Sequence, residues 1–334
     1  MNSASAPLLA ARNLRKYFPV KAQWIGAPRL TVQAVDDVSF AIAAGETLGI
    51  VGESGCGKST TGRLLMHLIK PDSGDIRFAG KPIVADDPSG LRELRRHMQM
   101  VFQDSYASLN PRLSVQDSIA FGPRSHGAPR EKTRRKAREL LSLVKLDPDQ
   151  FGPRYPHELS GGQRQRVNFA RALALEPKLV ILDEAVSALD KSIEAQVLNL
   201  LMDLKRELGL TYLFISHDLN VVQYVSDRVL VMYLGKIVEL GPVEAIYGDP
   251  QHPYTRALLS ARPSMDPRRR TNEAPIQGDP PNPIDPPSGC RFRTRCPFAE
   301  DICARVEPPL ADNGRQEVAC HMRVAGSGHS KAAA

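Results

Sequence analysis

Long apolar runs are missing from this 334-residue chain. None approaches the roughly 18 residues that a membrane-spanning helix needs. The longest, such as Val229–Leu234, are strand-sized. Residues 1–20 (MNSASAPLLAARNLRKYFPV) carry no extended apolar segment behind a basic start, so no secretory leader is expected. Cysteine is almost absent from the first 289 residues, where Cys56 stands alone; Cys290, Cys296, Cys303 and Cys320 fall in the last 45. These absences point to a cytosolic protein, in which structural disulfides are rare, so the four late cysteines need another explanation. No internal repeat is present. What remains is an ordinary globular composition, 42% hydrophobic and 24% charged. The length suggests about two domains. The net charge of +7 suits nucleic acid, an anionic membrane surface or a phosphorylated ligand.

Composition shifts near residue 262. Residues 261–311 hold 11 of the 27 prolines, including Pro280-Pro281, Pro286-Pro287 and Pro308-Pro309. Proline lacks the N–H that helices and central strands use, so this tail is not expected to form a regular α/β layer. Upstream, short β-branched runs alternate with amphipathic segments, as in a mixed α/β domain. Thr47–Gly52, Leu179–Leu182 and Thr211–Ser216 read as buried strands, and Val229–Leu240 as a hairpin at a sheet edge. Ile193, Val197, Leu200, Leu201, Leu204 and Leu208 recur at helical spacing, with Gly209 as the stop. Strand, helix and strand then make a parallel pair with a right-handed crossover. A second amphipathic helix spans about 130–146, with Ala137, Leu140, Leu141 and Val144 inward and a basic face expected to be solvated.

The sharpest local signal is Gly52-Glu53-Ser54-Gly55-Cys56-Gly57-Lys58-Ser59. It matches G-x-x-x-x-G-K-[ST], with a strand before it and a helix, Thr60–Ile69, expected after it. Glycines let the backbone turn its N–H groups inward around phosphates, and the helix adds its positive end. Lys58 would reach the β- and γ-phosphates and Ser59 would ligate Mg²⁺. Cys56 reads as a small filler, although the positive field of the loop could also lower its pKa. The second signal, Leu179-Val-Ile-Leu-Asp183-Glu184, is an apolar strand with two carboxylates at its C-terminal end. In an open α/β sheet that end lines the ligand crevice. Asp183 could hold Mg²⁺ there, and Glu184 could polarise water.

Leu159-Ser160-Gly161-Gly162-Gln163 follows, between those two motifs in sequence. Its pentapeptide is the LSGGQ signature, and with it the chain resembles the ABC ATPases. Ser160, Gly161 and Gly162 open a helix bearing Val167, Ala170, Leu173 and Ala174, whose N-terminus forms a second anion site. The resemblance implies a P-loop nucleotide-binding domain with a RecA-like parallel core, an antiparallel β subdomain and an α-helical signature subdomain near 104–172. It also implies that the signature of one subunit covers the ATP held by its partner, so that ATP joins a head-to-tail dimer. Gln103 resembles the Q-loop glutamine, a further group near Mg²⁺, and Asp190 in Ser187-Ala-Leu-Asp190 the D-loop residue. His217 resembles the switch histidine, and Phe18 the aromatic that stacks on adenine, with Tyr17 its neighbour. The resemblance further implies nucleotide contacts from the loop through Thr60 and from Gln163. Ala185 and Ser105 stand where family members commonly have proline; the first is expected to alter backbone stiffness, not chemistry.

Four further stretches resemble the ATP-binding subunits of bacterial dipeptide/oligopeptide importers, the DppF/OppF-like branch. They are Gly49–Ser59, Phe102–Pro111, Arg154–Ser160 and Gln251–Leu258, and the tail Pro281–Cys290 agrees. The branch implies an ATPase domain over 1–255 and an oligopeptide-importer-type region over 256–334, small, rich in proline and cysteine, with its last residues disordered. It implies a second ATPase subunit, a heterodimer being usual, two transmembrane permeases and a periplasmic or extracellular binding protein. The chain would then sit peripherally on the cytoplasmic side of the membrane. The branch also includes nickel and glutathione importers. Cys290, Cys296, Cys303 and Cys320, spaced C-x5-C-x6-C-x16-C, could ligate a [4Fe–4S] cluster or zinc, or remain free thiols in a folded cap. The absence of tight C-x2-C pairs argues against zinc, and the resemblance favours the cluster. A soluble ABC ATPase acting on nucleic acid or ribosomes would show a duplicated cassette or a long coiled coil, and neither is present. No nucleic-acid partner is therefore expected. A metal-binding regulatory module fused to an NTPase is allowed by the tail, but the importer resemblance covers the same residues. Arg268-Arg-Arg270 reads as a linker charge cluster.

Overall fold

The computed structural model describes residues 6–20, 30–84, 86–262 and 278–333. The Arg268–Arg270 cluster lies outside the described residues. The chain forms two compact units. One comprises Ala43–Thr47 and Ile83–Ser216; the other comprises Pro7–Ile42, Leu48–Pro82 and the chain from His217 onward.

The first unit is built on three parallel strands, Met98–Val101, Leu179–Asp183 and Thr211–Ile215, with Leu179–Asp183 in the middle. Every residue of the latter two is buried. That is why they read as unbroken apolar runs rather than alternating ones: a parallel strand is covered on both faces. Helix Lys191–Leu208 joins them, and Gly209 ends it at φ 62 as a left-handed cap. Val197, Leu200, Leu201 and Leu204 are buried as the periodicity requires, but Leu208 is 46% exposed. It sits in the last turn, where the helix has run past its support. Between the outer strand and the central one the chain is helical. Val115–Ser125, Arg130–Leu143, Pro148–Phe151 and Gly161–Leu173 follow in order. Ala137, Leu140, Leu141 and Val144 are all buried, as expected.

The second unit holds an antiparallel sheet of four strands. Leu9–Pro19 lies between Thr31–Ile42 and Ser73–Phe78, and Lys81–Pro82 forms the far edge. Strand Thr47–Val51 pairs in parallel with Arg228–Tyr233 along Leu48↔Arg228 to Val51↔Val231. Arg228–Tyr233 turns at Leu234-Gly235 into Lys236–Pro242, the expected hairpin. The tail adds to the sheet only past its last prolines. Glu317–Val318 pairs with Glu239 and Leu240, and Ala311–Asp312 pairs with Glu317–Val318, so two short strands extend the sheet. They fit because neither strand contains a proline. Near the end of the chain, in residues expected to be disordered, buried His329 meets the Phe298 carbonyl at 2.9 Å, and Ser330 N–H donates to Glu300.

Glu239 joins these pieces. Its carboxylate is fully buried and accepts from Gln251 N–H (2.6 Å), His252 N–H (3.0 Å) and Gln316 Nε2 (2.9 Å). Burial pushes its pKa up. Removing it leaves buried donors without an acceptor, each costing about 1–3 kcal/mol. Glu239→Ala should therefore lower unfolding free energy by about 3–5 kcal/mol. Denaturant melts of the full chain measure this, and a loss under about 1 kcal/mol would show that the carboxylate is dispensable.

Candidate nucleotide site

The phosphate loop leaves a strand whose five residues are all buried, so its N-terminal anchor is fixed. Two glycines show why the motif needs them. Gly57 has φ 108, and a Cβ there would lie 2.1 Å from the Ala34 carbonyl oxygen. Gly52 has φ 150, and a Cβ would lie 2.2 Å from the Met232 carbonyl oxygen. Helix Lys58–Leu65 begins directly on the motif lysine, two residues earlier than expected, and ends earlier too. Lys58 is buried, and its ammonium donates to the loop's own carbonyls, Gly52 O at 2.7 Å and Glu53 O at 2.9 Å. A triphosphate can take over these contacts. Ser54 and Gly55 lie at the exposed rim of the loop, and Ser59 and Thr60 in the first helical turn. The Cys56 thiol does not show the lowered pKa that the loop's field suggested. Burial pushes it up, and nearby Lys58 works only partly against this. It is filler.

In the other unit, the end of strand Leu179–Asp183 carries the acidic pair. Asp183 is buried. Glu184 has φ 50, a left-handed conformation that costs a non-glycine residue free energy and is held by its surroundings. Its N–H donates to the Ile215 carbonyl at 2.9 Å, and its own carbonyl accepts from the Ser187 hydroxyl at 2.9 Å. Gln103 Nε2 donates to the Glu184 carboxylate at 2.9 Å. Two residues 81 positions apart, singled out by separate motifs, are thus in direct contact.

The signature opens its helix as a capping box. Ser160 Oγ accepts from Gln163 N–H at 3.3 Å, and Gln163 Oε1 accepts from Ser160 N–H at 2.9 Å. Gly162 is required by packing, since a Cβ there would lie 2.6 Å from Ile193 Cγ2. Gly161 meets nothing that tight. Ser160 is exposed, so the helix N-terminus can meet an outside anion. Asp190 is exposed at the start of helix Lys191–Leu208. His217 is exposed beside Asp218, which caps the next helix through Asn220 and Val221 N–H groups.

Tyr17 and Phe18 differ in their neighbours. The Tyr17 hydroxyl donates to Asp36 at 2.6 Å, and burial together with that carboxylate pushes its pKa up to about 12. Asp36 is itself held by Lys236 at 3.0 Å and by Arg291. Burial opposes ionisation of Asp36, but these partners and the Tyr17 hydroxyl outweigh it and keep the carboxyl below its usual range. Tyr17 is committed to this buried charge cluster. Phe18, next along the strand, is partly exposed, with Lys16 Nζ 5.6 Å from its ring centre.

Sequence reasoning missed two arginines of the tail. Arg291 reaches Asp36, Gln33 and the Leu234 carbonyl. Arg295 meets Glu53 of the phosphate loop. Neither stands in a motif, and their acidic partners, Asp36 and Glu53, lie more than 240 positions away. Between them, Phe292 packs edge-on against Tyr233 (ring centres 5.3 Å apart) and Tyr254 (5.4 Å).

The four late cysteines all line one small cavity, with His321 and His329. Burial, then the neighbouring thiols, push Cys290 up to about 12; burial likewise pushes Cys320 up to about 11 and raises Cys296. Among the described residues, no group of three or more His, Cys, Asp or Glu side chains is placed to hold a metal ion. The expected ligand set is gathered at one cavity, but not as a coordination shell.

Comparison with known proteins agrees with this geometry. Residues 35–187 match the ABC transporter family, and residues 238–303 match the oligopeptide/dipeptide transporter C-terminal region. A probable peptide ABC transporter ATP-binding protein of Sinorhizobium fredii is 52% identical over 96% of this chain and 91% of its own. The oligopeptide transport ATP-binding protein OppF of Escherichia coli is 49% identical over 94% of this chain and 95% of its own. Among solved structures, cbiO1 of Clostridium perfringens, part of the ABC transporter complex cbiONQ, superimposes with a TM-score of 0.62 at 29% identity. That match covers 73% of this chain and 91% of cbiO1. A dimeric ATP-binding cassette bound to ADP and phosphate gives the same TM-score and identity over 70% of this chain and 98% of its own. The chain belongs to the ABC transporter ATP-binding proteins, in their oligopeptide/dipeptide importer branch.

Proposed function

We propose that this chain hydrolyses ATP to drive uptake of di- or oligopeptides through separate permease subunits. The observation that carries the reading is the Gln103–Glu184 contact, in a chain whose phosphate loop has the required backbone and a buried lysine. The reaction needs little covalent help from protein; positioning and charge neutralisation dominate. Lys58 leaves the Gly52 and Glu53 carbonyls for the β- and γ-phosphates. The loop N–H groups from Gly52 through Thr60 surround the phosphates. Ser59, Asp183 and Gln103 offer hydroxyl, carboxylate and amide oxygens, the hard donors that suit Mg²⁺. Bound there, Mg²⁺ would neutralise phosphate charge. Glu184 takes a proton from water, with Gln103 fixing the carboxylate, and His217 holds the water and γ-phosphate in line. Phe18 stacks on adenine, since Tyr17 is engaged by Asp36. Ser160, Gly161, Gly162 and Gln163 of a second ATPase subunit close over the γ-phosphate, and Asp190 contacts that subunit.

Peptide as substrate rests on the branch and on the names its relatives carry. No described helix is long and apolar enough to cross a membrane, so permeases would supply the path and the chain would work at their cytoplasmic face. Co-purification with two permeases, and ATPase activity stimulated by a peptide-loaded binding protein, test this reading. Stimulation only by nickel or glutathione would redirect it.

The [4Fe–4S] reading of Cys290, Cys296, Cys303 and Cys320 is supported by their meeting at one cavity, with zinc second. Ligation would have to displace the thiol protons and draw the sulfurs together. Full-length protein purified without oxygen should carry iron and sulfide in equal amounts and absorb in the visible. A colourless, iron-free but folded protein would remove the cluster.

A further inference from the structure

Glu53 is the only acidic residue in the loop that receives a triphosphate. A carboxylate there opposes an incoming anion unless something neutralises it. Arg295 does so. Its Nη1 lies 3.1 Å from Glu53 Oε1 and 2.9 Å from Oε2, and 3.4 Å from the Tyr233 hydroxyl. The Arg295 side chain is 7% exposed and that of Glu53 23%, so water screens the pair poorly. The backbone of Glu53 is held from the same side: its N–H donates to the Tyr254 hydroxyl at 2.9 Å, and Tyr254 is packed against Tyr233 and Phe292. The Glu53 carbonyl accepts from Lys58 at 2.9 Å. The residue that fixes Lys58 is therefore held by a helix and a tail loop from beyond residue 250.

We infer that Arg295, in the cysteine-rich tail, is a positioning residue of the nucleotide site, holding Glu53 neutralised and turned away so that the loop can take the triphosphate. The inference rests on the reading that this loop binds ATP. It also ties the tail to the site, because Arg295 immediately precedes Cys296. A contact that merely docks the tail would be equally short but would have no electrostatic consequence for ATP.

The two roles separate in a double-variant cycle on the full chain, read by titration with a fluorescent ATP analogue. Arg295→Gln should weaken affinity about tenfold, within the range of ordinary coupling energies. Adding Glu53→Gln should recover most of that loss, because the unpaired carboxylate goes with it. In the assembled complex the same loss should appear in KM more than in kcat. Arg295→Gln binding within about twofold of wild type, or a double variant no tighter than Arg295→Gln, overturns the inference. If Arg295→Gln does not fold, Arg295→Met, which keeps an apolar stem of similar length but removes the charge, takes its place with the same rescue. Lys58→Ala separates the two readings. If it binds the analogue as wild type does, the ATP reading of the loop fails. If it loses binding while Arg295→Gln keeps it, only the Arg295 inference fails.

Discussion

Glu184→Gln should bind ATP like the parent protein yet turn it over some 10²–10⁴-fold more slowly, the usual worth of a positioned general base. Shape is preserved by this change. The Gln103 amide can still donate to a side-chain oxygen at position 184, as it does now at 2.9 Å. The backbone bond from residue 184 N–H to Ile215 also survives, so the left-handed conformation of this residue is still held. What is lost is basicity: an amide cannot accept the proton that water must give up. A drop of about 10³ corresponds to about 4 kcal/mol of transition-state stabilisation. The measurement is phosphate release by the assembled importer, alongside nucleotide affinity. Wild-type turnover would remove Glu184 from the proposed role. Loss of nucleotide binding would show that the carboxylate shapes the site rather than acting as a base.

Local chemistry was legible in the sequence and distant pairing was not. The phosphate loop could be read because each of its glycines answers a local backbone demand, as the positive φ of Gly52, Gly55 and Gly57 shows. The strands Leu179–Asp183 and Thr211–Ile215 could be read because burial on both faces leaves a mainly apolar run rather than an alternating one. Phe18 could be set ahead of Tyr17 only by resemblance, since the Asp36 that engages Tyr17 is brought there by strand pairing. Strands Ala311–Asp312 and Glu317–Val318 are too short to show alternation. Arg295 carries no periodic or motif signal; only folding shows that it faces Glu53. Cys56 shows the opposite error. A positive loop suggested a lowered pKa, but the depth of burial decides the sign. In the tail the prolines exclude long elements through Pro309, and the two-residue strands at the sheet edge come only after them.

Gly57→Ala should abolish measurable ATP binding, whereas Gly55→Ala should weaken it only modestly. Both glycines have positive φ, 108 at Gly57 and 79 at Gly55, so conformational preference alone would not separate them. The surroundings do. A Cβ at Gly57 would lie 2.1 Å from the Ala34 carbonyl oxygen and 3.3 Å from the Met232 side chain; Ala34 lies at a register shift, but Gln33 and Val35 on either side pair with Tyr17 and Lys16 and limit how far that oxygen can move. A Cβ at Gly55 meets nothing within 4 Å. Gly55→Ala therefore bears only the left-handed strain of about 1–2 kcal/mol, worth roughly tenfold if the loop alone absorbs it. Gly57→Ala must move the loop. Gly57 immediately precedes Lys58, and its carbonyl accepts from Thr61 N–H at 2.9 Å to start the helix. A shift there misdirects the lysine, the helix N-terminus and the loop N–H groups together. Loss of more than about 100-fold in affinity is expected, the worth of two or three charge-assisted contacts at about 1.5 kcal/mol each. Titration of both variants with a fluorescent nucleotide checks the pair. Equal affinities would mean that the loop is loose enough to absorb a methyl group against Ala34, and that the close approach of the two backbones is not what shapes the site.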